Sequence, residues 1–509
     1  MNRRISFISM ALGMALCGHA ASEHTLTLET GVTANASSGD FAPYFLGANN
    51  HGTLTQAQGT QLFVKAHHDM DTTRRFSYGY GVAAYGGWQS STDYLRYYSA
   101  ANDFSANTQH PSRVWLQELY GQIKYRGVEL TVGLKERESY LFNSRLGSGD
   151  FIESGNARPV PQARIGFIDF QNIPFTNGWV QIQGNVAYGI FTDNAWWENH
   201  FDYYNGHIAR NTRYMYRRIY FRTKPSQPLS VTVGAQSAAQ FGGSTSLYYT
   251  GKLWNTYHRS GGIKECIKIF FPFGQNDEDY YIGNTIGSWD LSARYRFNNG
   301  DELKAYFQWP WEDGSGVGKL NGFDGIWGLE YTPKGLNWLK GVVVEYIDFM
   351  NQSGPIHWAP GDFPGTSLVS QATGSDDYYN NKTYNSYANY GLVLGTPVIM
   401  SPIYNTDGQI LCLNNRMRGF HIGAEGSISP KVDYRVLLNY RKSYGNSFYY
   451  LADPIHQTSA MGEITWRPSV KGLKVTGALA IDRGKLPSNS FGGMVTVSYT
   501  GNFNLKRHE

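Results

Sequence analysis

The chain has 509 residues, with 44 Lys and Arg against 40 Asp and Glu, and its net charge of +4 gives no footing for nucleic acid. It is 15% aromatic, carries 58 Gly and only 3 Cys, and its mean hydropathy is −0.42. Those values exclude a disulfide framework and a bundle of membrane-crossing helices. A polar chain so rich in Tyr, Trp, Phe and Gly fits a barrel with aromatic girdles and a polar interior.

The N-terminus reads as a secretory signal. Arg3 and Arg4 give the positive start, Ile5 to Leu16 the short apolar run, and Gly18-His19-Ala20 the small-residue cleavage site. Cleavage after Ala20 divides the chain into a signal, residues 1–20, and a barrel domain, residues 21–509. Leu16 before Cys17 is too large for a lipoprotein signal.

Period-2 alternation then recurs to the C-terminus. Strands are expected near 25–36, 58–68, 75–88, 113–126, 128–136, 162–171, 178–191, 212–224, 228–241, 286–297, 301–311, 322–333, 337–350, 415–427, 431–444, 457–467, 472–483 and 491–503. In the clearest of them Val432, Tyr434, Val436, Leu438 and Tyr440 form one face, while Lys431, Asp433, Arg435, Asn439 and Arg441 form the other. A soluble sandwich alternates in the same way, so the connections decide. Long ones at 37–57, 89–112, 137–161, 192–211, 242–285, 351–414 and 445–456 alternate with tight links such as Arg126-Gly127, Asn298-Asn299-Gly300 and Pro333-Lys334-Gly335. Short turns on one rim and long loops on the other define an all-β, antiparallel, transmembrane β-barrel of about 18 strands in the outer membrane, with periplasmic turns and extracellular loops.

The polar faces then line the lumen, and Glu118, Lys124, Arg294, Arg296, Arg435 and Arg441 are expected there. Charges of both signs either line water or cross-link the bore. Cys266 and Cys412 fall in long loops, where they either form a disulfide or remain free thiols. No spacing marks a metal site, a cofactor loop or a nucleophile elbow, so neither catalysis nor a cofactor is expected.

The loops carry aromatic and amide clusters. Trp196, Trp197, Tyr203, Tyr204 and Asn205 form one; Tyr378, Tyr379, Asn381 and Tyr384 form another inside the 351–414 segment. A sugar ring offers an apolar C–H face and a rim of hydroxyls, which suits an aromatic ring beside amide groups. These nine residues are the candidate glycan contacts. The same rings would equally serve to pack the loops together.

The strand layout, the run Phe41-Ala42-Pro43-Tyr44-Phe45-Leu46-Gly47-Ala48-Asn49-Asn50-His51-Gly52-Thr53, and Tyr378-Tyr379-Asn380-Asn381 followed by Gly395-Thr396-Pro397 resemble the Wzi capsule-assembly family. The resemblance implies an outer-membrane barrel acting as a lectin, which holds capsular or other surface polysaccharide through loops that close the barrel. Some members carry a helical bundle before the barrel. Here strand-like Thr25-Leu26-Thr27-Leu28 follows the signal, so none is expected. The expected partners are polysaccharide and outer-membrane lipid, with the chain acting as a monomer. A porin or substrate-selective outer-membrane channel is the alternative function.

Overall fold

The computed structural model describes residues 24–270, 283–312, 321–352, 357–358, 372–373 and 376–505. The expected signal, residues 1–20, lies outside the described residues, as does most of 353–375. The wall consists of β1 (His24–Phe41), β2 (Gln56–His68), β3 (Phe76–Gln89), β4 (Val114–Tyr125), β5 (Val128–Leu134) and β6 (Gln162–Phe167, resuming at Gln171–Asn172). Next come β7 (Val180–Ile190), β8 (Arg213–Thr223), β9 (Leu229–Phe241), β10 (Gly283–Arg296), β11 (Glu302–Glu312) and β12 (Gly325–Thr332). It is completed by β13 (Gly341–Asp348), β14 (Met417–Ser429), β15 (Val432–Gly445), β16 (Tyr450–Trp466), β17 (Leu473–Gly484) and β18 (Ser490–Leu505). Each strand pairs antiparallel with the next, and β1 pairs with β18 from His24 opposite Leu505 to Ser37 opposite Gly492. The sheet is closed, and every wall strand has two neighbours. Closure matters because hydrocarbon offers no partner for an open strand edge.

The faces follow the alternation. On β15, Val436, Leu438 and Tyr440 are exposed to lipid while Leu437, Asn439 and Arg441 are buried in the lumen. On β10, Trp289, Leu291 and Tyr295 face out and Ser288, Asp290 and Ser292 face in. Exposed rings collect near the turns, as Phe76, Tyr125, Trp179, Phe297, Trp338 and Trp466, and again higher up, as Trp88, Phe323 and Phe491. These are the two girdles of an outer-membrane barrel. Among the described residues no helix is long and apolar enough to cross a membrane.

Two expectations about connections change. The segment 445–456 is not a long loop: β15 and β16 run on past the membrane and join through residues 446–449. Gly445 at φ 88° and Asn446, whose Oδ1 accepts from Phe448 N–H and Tyr449 N–H, make that turn tight. Three other loops are partly regular. The first holds a hairpin, Thr92–Tyr98 with Asp103–Gln109; the other two share a three-stranded sheet, Gly206–Arg210, Gly243–Tyr249 and Lys252–Arg259. Short helices Asn194–His200 and Ile263–Phe270 complete them.

Candidate functional site

The connection between β5 and β6 does not project outward. It enters the lumen and is seated on the opposite wall. Ser148 N–H donates to Glu345 Oε2 at 2.7 Å and Phe151 N–H to Gln308 Oε1 at 2.6 Å. Lys304 Nζ donates to Leu141 O at 2.5 Å, Asn143 Nδ2 to Glu330 Oε1 at 2.8 Å, and Arg145 Nε to Glu425 Oε2 at 2.8 Å. His421 Nε2 meets Leu146 O at 2.7 Å. These contacts reach β11, β12, β13 and β14, so the segment crosses the bore as a plug. Leu146, Phe151 and Ile152 are completely buried in it.

The described part of the 351–414 segment packs on top. Tyr379 Oη donates to Phe151 O at 2.6 Å and accepts from Thr396 N–H at 3.0 Å. Tyr387 Oη donates to Ile152 O at 2.9 Å, and Ser154 Oγ to Gly395 O at 2.7 Å. The rings of Phe151, Phe349, Tyr378 and Tyr379 form one aromatic core, with Phe151 and Tyr379 centroids 4.9 Å apart. Residues 42–55 add a third layer: Tyr44 N–H donates to Asp482 Oδ2 at 2.8 Å and His51 N–H to Gly155 O at 2.8 Å. Buried rings supply apolar area here, and each named hydroxyl has an internal partner.

On the outer face of this lid lies a cleft of about 740 Å³. Phe104, Tyr204 and Tyr449 supply its rings, and Phe201, Ile410 and Leu411 its apolar floor. Asn205, Gln409, Asn414, Asp202 and Asp407 supply polar groups. Tyr97 backs the rings, with its centroid 4.9 Å from Tyr204 and 5.4 Å from Phe104. Burial pushes the Asp202 carboxyl up to about 6, against the hydrogen bond from Tyr204 N–H and with added push from the Asp407 charge. Burial pushes the imidazole of His207, another lining residue, down. Among the described residues no Lys or Arg lines the cleft. Among the described residues no group of three His, Cys, Asp or Glu is placed to hold a metal ion.

The nine expected glycan contacts separate. Tyr204 and Asn205 line the cleft. Trp197, Tyr378, Tyr379 and Tyr384 do not: each is at most 2% exposed, inside the lid. This corrects their expected role, because a ring packed on all sides presents no face to a sugar. Trp196 stacks on His200 at 3.9 Å, and Tyr203 lies under the Arg96 guanidinium at 4.7 Å. Asn381 Oδ1 is held by Thr383 N–H at 2.8 Å. Phe104, Tyr449 and Gln409 were missed by the sequence reading. Tyr449 had a signal, the Phe448-Tyr449-Tyr450 run in a hairpin turn.

The expected lumen residues are internal but bound. Arg435 pairs with Glu463 at 2.6 Å and also donates to Arg145 O in the plug. Arg441 donates to Val398 O and Leu486 O and lies 4.1 Å over the Tyr44 ring. Glu118 accepts from Glu136 N–H, and Lys124 donates to Thr72 O near the turns. Arg294 and Arg296 both meet Glu302 at that rim, at 3.5 and 2.7 Å. Cys266 and Cys412 are free thiols in separate packing clusters, so the disulfide alternative is not the one observed.

A closed 18-stranded wall with two aromatic girdles, a plugged bore and a structured outer face defines an outer-membrane β-barrel protein. No family model matches the sequence, and no curated protein matches it. Among solved structures the chain is similar in fold to Wzi of Escherichia coli, an outer membrane protein involved in group 1 capsule assembly and a carbohydrate-binding β-barrel. The TM-score is 0.53 at 12% identity, over 99% of this chain and 87% of that one. OccAB2 of Acinetobacter baumannii matches with a TM-score of 0.47 at 10% identity, covering 94% of this chain and 98% of that one. OccK5 (OpdH) of Pseudomonas aeruginosa matches with a TM-score of 0.43 at 10% identity, over 94% and 98%. The resemblance to Wzi barrels read from the sequence thus extends to the fold of nearly the whole chain.

Proposed function

We propose that this barrel binds surface polysaccharide in its extracellular cleft and anchors it to the outer membrane, a capsule-assembly role like that of the Wzi protein whose fold it shares. The observation that carries the reading is the cleft itself. It sets three aromatic rings over an apolar floor beside amides and carboxylates, on the face away from the membrane. Rings cover the C–H face of a sugar while amides and carboxylates meet its hydroxyls. The plug and lid give that cleft a rigid base. A structural anchor requires no reaction, and the reading includes none.

A channel is the second reading, favoured by the charged cavity below the plug, which Glu29, Lys65, Asp433, Arg467 and Lys474 line among others. Two measurements separate the readings. Glycan-array binding by the detergent-solubilised barrel, with loss of cell-attached polysaccharide in a deletion strain, is expected for the anchor. Steady single-channel currents from wild-type protein in a planar bilayer, with no glycan bound, would sink it in favour of the channel.

A further inference from the structure

Beneath the plug, the charged cavity opening toward the turns has a volume of about 530 Å³. It continues into a smaller pocket of about 280 Å³ and shares Asn50, Arg145, Glu463 and Met494 with it. Plug, wall and the 42–55 segment all contribute to this inner pocket. It lies on the other side of the lid from the extracellular cleft, so it stands or falls independently of glycan binding there.

The inner pocket concentrates polar atoms that are shut off from solvent and lack a partner. They are Arg137 Nε and Nη2, Arg435 Nε, Ser148 Oγ, Asn49 Oδ1 and His421 Nδ1. Buried polar groups are ordinarily satisfied, and an unpaired buried charge is the costliest exception. The carboxylates near Arg137 are committed elsewhere. Glu153 is held by Arg164 at 2.8 Å, Glu136 by Lys65 at 3.7 Å, and Glu463 by Arg435 at 2.6 Å. Glu138 also lines the pocket but is exposed. Burial pushes the Arg137 guanidinium down to about 10, which leaves it charged at neutral pH.

The two open atoms of Arg137 lie on one edge of the guanidinium. Nε and Nη2 form the fork that takes a carboxylate or phosphate through two parallel hydrogen bonds. His421 Nε2 faces the Leu146 carbonyl, which fixes the proton there and leaves Nδ1 an acceptor. Asn49 Oδ1 is an acceptor as well. The pocket thus offers a charged fork for an oxyanion and two acceptors for hydroxyl groups. We propose that it binds a hydroxylated organic oxyanion the size of one sugar unit, a sugar acid or sugar phosphate, entering from the periplasmic side.

The test uses the full folded barrel in detergent micelles and equilibrium dialysis with radiolabelled D-glucuronate, D-glucose 1-phosphate and, as the neutral control, D-glucose. Saturable binding of one or both anions and none of glucose is expected. Glucuronate alone would assign a carboxylate ligand, glucose 1-phosphate alone a phosphate. Arg137→Gln should weaken binding by about tenfold or more, since it removes both charge-assisted hydrogen bonds. Arg137→Lys, which keeps the charge without the fork, should weaken it less. Heat-modifiable mobility on gels verifies folding. If Arg137→Gln does not fold, Asn49→Asp places a competing carboxylate in the same pocket and should cause the same loss. Absence of saturable anion binding, equal binding of glucose, or undiminished binding by a folded variant would overturn the site.

Discussion

The two ends of this barrel solve the problem of a polar interior in opposite ways. At the extracellular end the interior is solid: plug, lid and the 42–55 segment interlock through buried tyrosines and backbone hydrogen bonds. At the periplasmic end it is a hollow lined with ion pairs such as Lys340 with Asp433 and Lys474 with Glu29. Exposed pairs of that kind contribute little stability, whereas a buried, satisfied polar network is costly to break at any one point. The contrast teaches where substitution is tolerated: the periplasmic rim tolerates it, and the sealed half does not.

The strongest way to break the comparison is to remove the seal. Replacing residues 139–152 by a short Gly-Ser linker is expected to turn a silent barrel into a conducting one in planar bilayers, because Glu345, Gln308 and Glu330 then face water instead of the plug. Continued silence would show that the lid alone closes the bore. Next in size is Tyr379→Phe. It removes a hydroxyl that both donates to Phe151 O and accepts from Thr396 N–H, and should cost about 1–3 kcal/mol of lid stability. Hydrogen exchange should quicken in 376–416 and 148–156 while the wall strands stay protected; unchanged exchange would sink the prediction.

A smaller effect is expected on the outer surface. Tyr204→Ala or Tyr449→Ala should weaken glycan binding several-fold to about tenfold, by loss of ring contact. Glu302→Gln at the opposite rim should leave binding unchanged. Neutral polysaccharide should bind better than acidic, since Asp202 and Asp407 face the cleft and, among the described residues, no Lys or Arg does. Equal loss in all three variants would deny the cleft its role.

The smallest expected effect is a pH dependence, because opposite signs meet. Burial pushes the Asp193 carboxyl, which accepts from Tyr390 N–H, up to about 6. A raised folded value means that the closed loops hold this proton more tightly than the open ones. Asp193 therefore favours closure at low pH, and that contribution is lost as pH rises through about 6. His200, pushed down by burial to about 4, acts in the other direction and loses its contribution as pH falls from 6.5. The readout is thus a difference. Asp193→Asn should resist protease better than wild type at pH 7, with a lead that narrows by pH 5 and is gone near pH 4. A lead that stays constant from pH 7 to pH 4 would refute the assignment.

Wall and loops differed in how much the sequence disclosed. Alternation reveals which side of β15 meets lipid, because Val436, Leu438 and Tyr440 must face hydrocarbon whatever the loops do. No such constraint acts on Tyr378, Tyr379 or Tyr384. A run of Tyr and Asn has the same composition whether its rings meet a sugar or each other. What distinguishes the two is a partner more than two hundred residues away, Phe151 for Tyr379. The plug carried a fainter mark. Leu141, Phe142, Leu146, Phe151 and Ile152 are too apolar for an exposed loop and sit among Ser, Gly, Asn and Asp. Tyr204 and Asn205 line the cleft from a cluster that the sequence marks by composition, whereas Phe104 and Tyr449 reach it from other loops.

The plug has a consequence for biogenesis. It leaves the wall after β5, yet Glu345, His421, Glu425 and Arg435, which hold it, lie on β13, β14 and β15. The plug therefore has no complete seat until those later strands have joined the wall. Strands β11 to β15 supply that seat, and β18 supplies the partner that β1 lacks. A chain cut short at residue 416 would lose closure and sealing together. Sealing and closure of the barrel are thereby both tied to C-terminal strands.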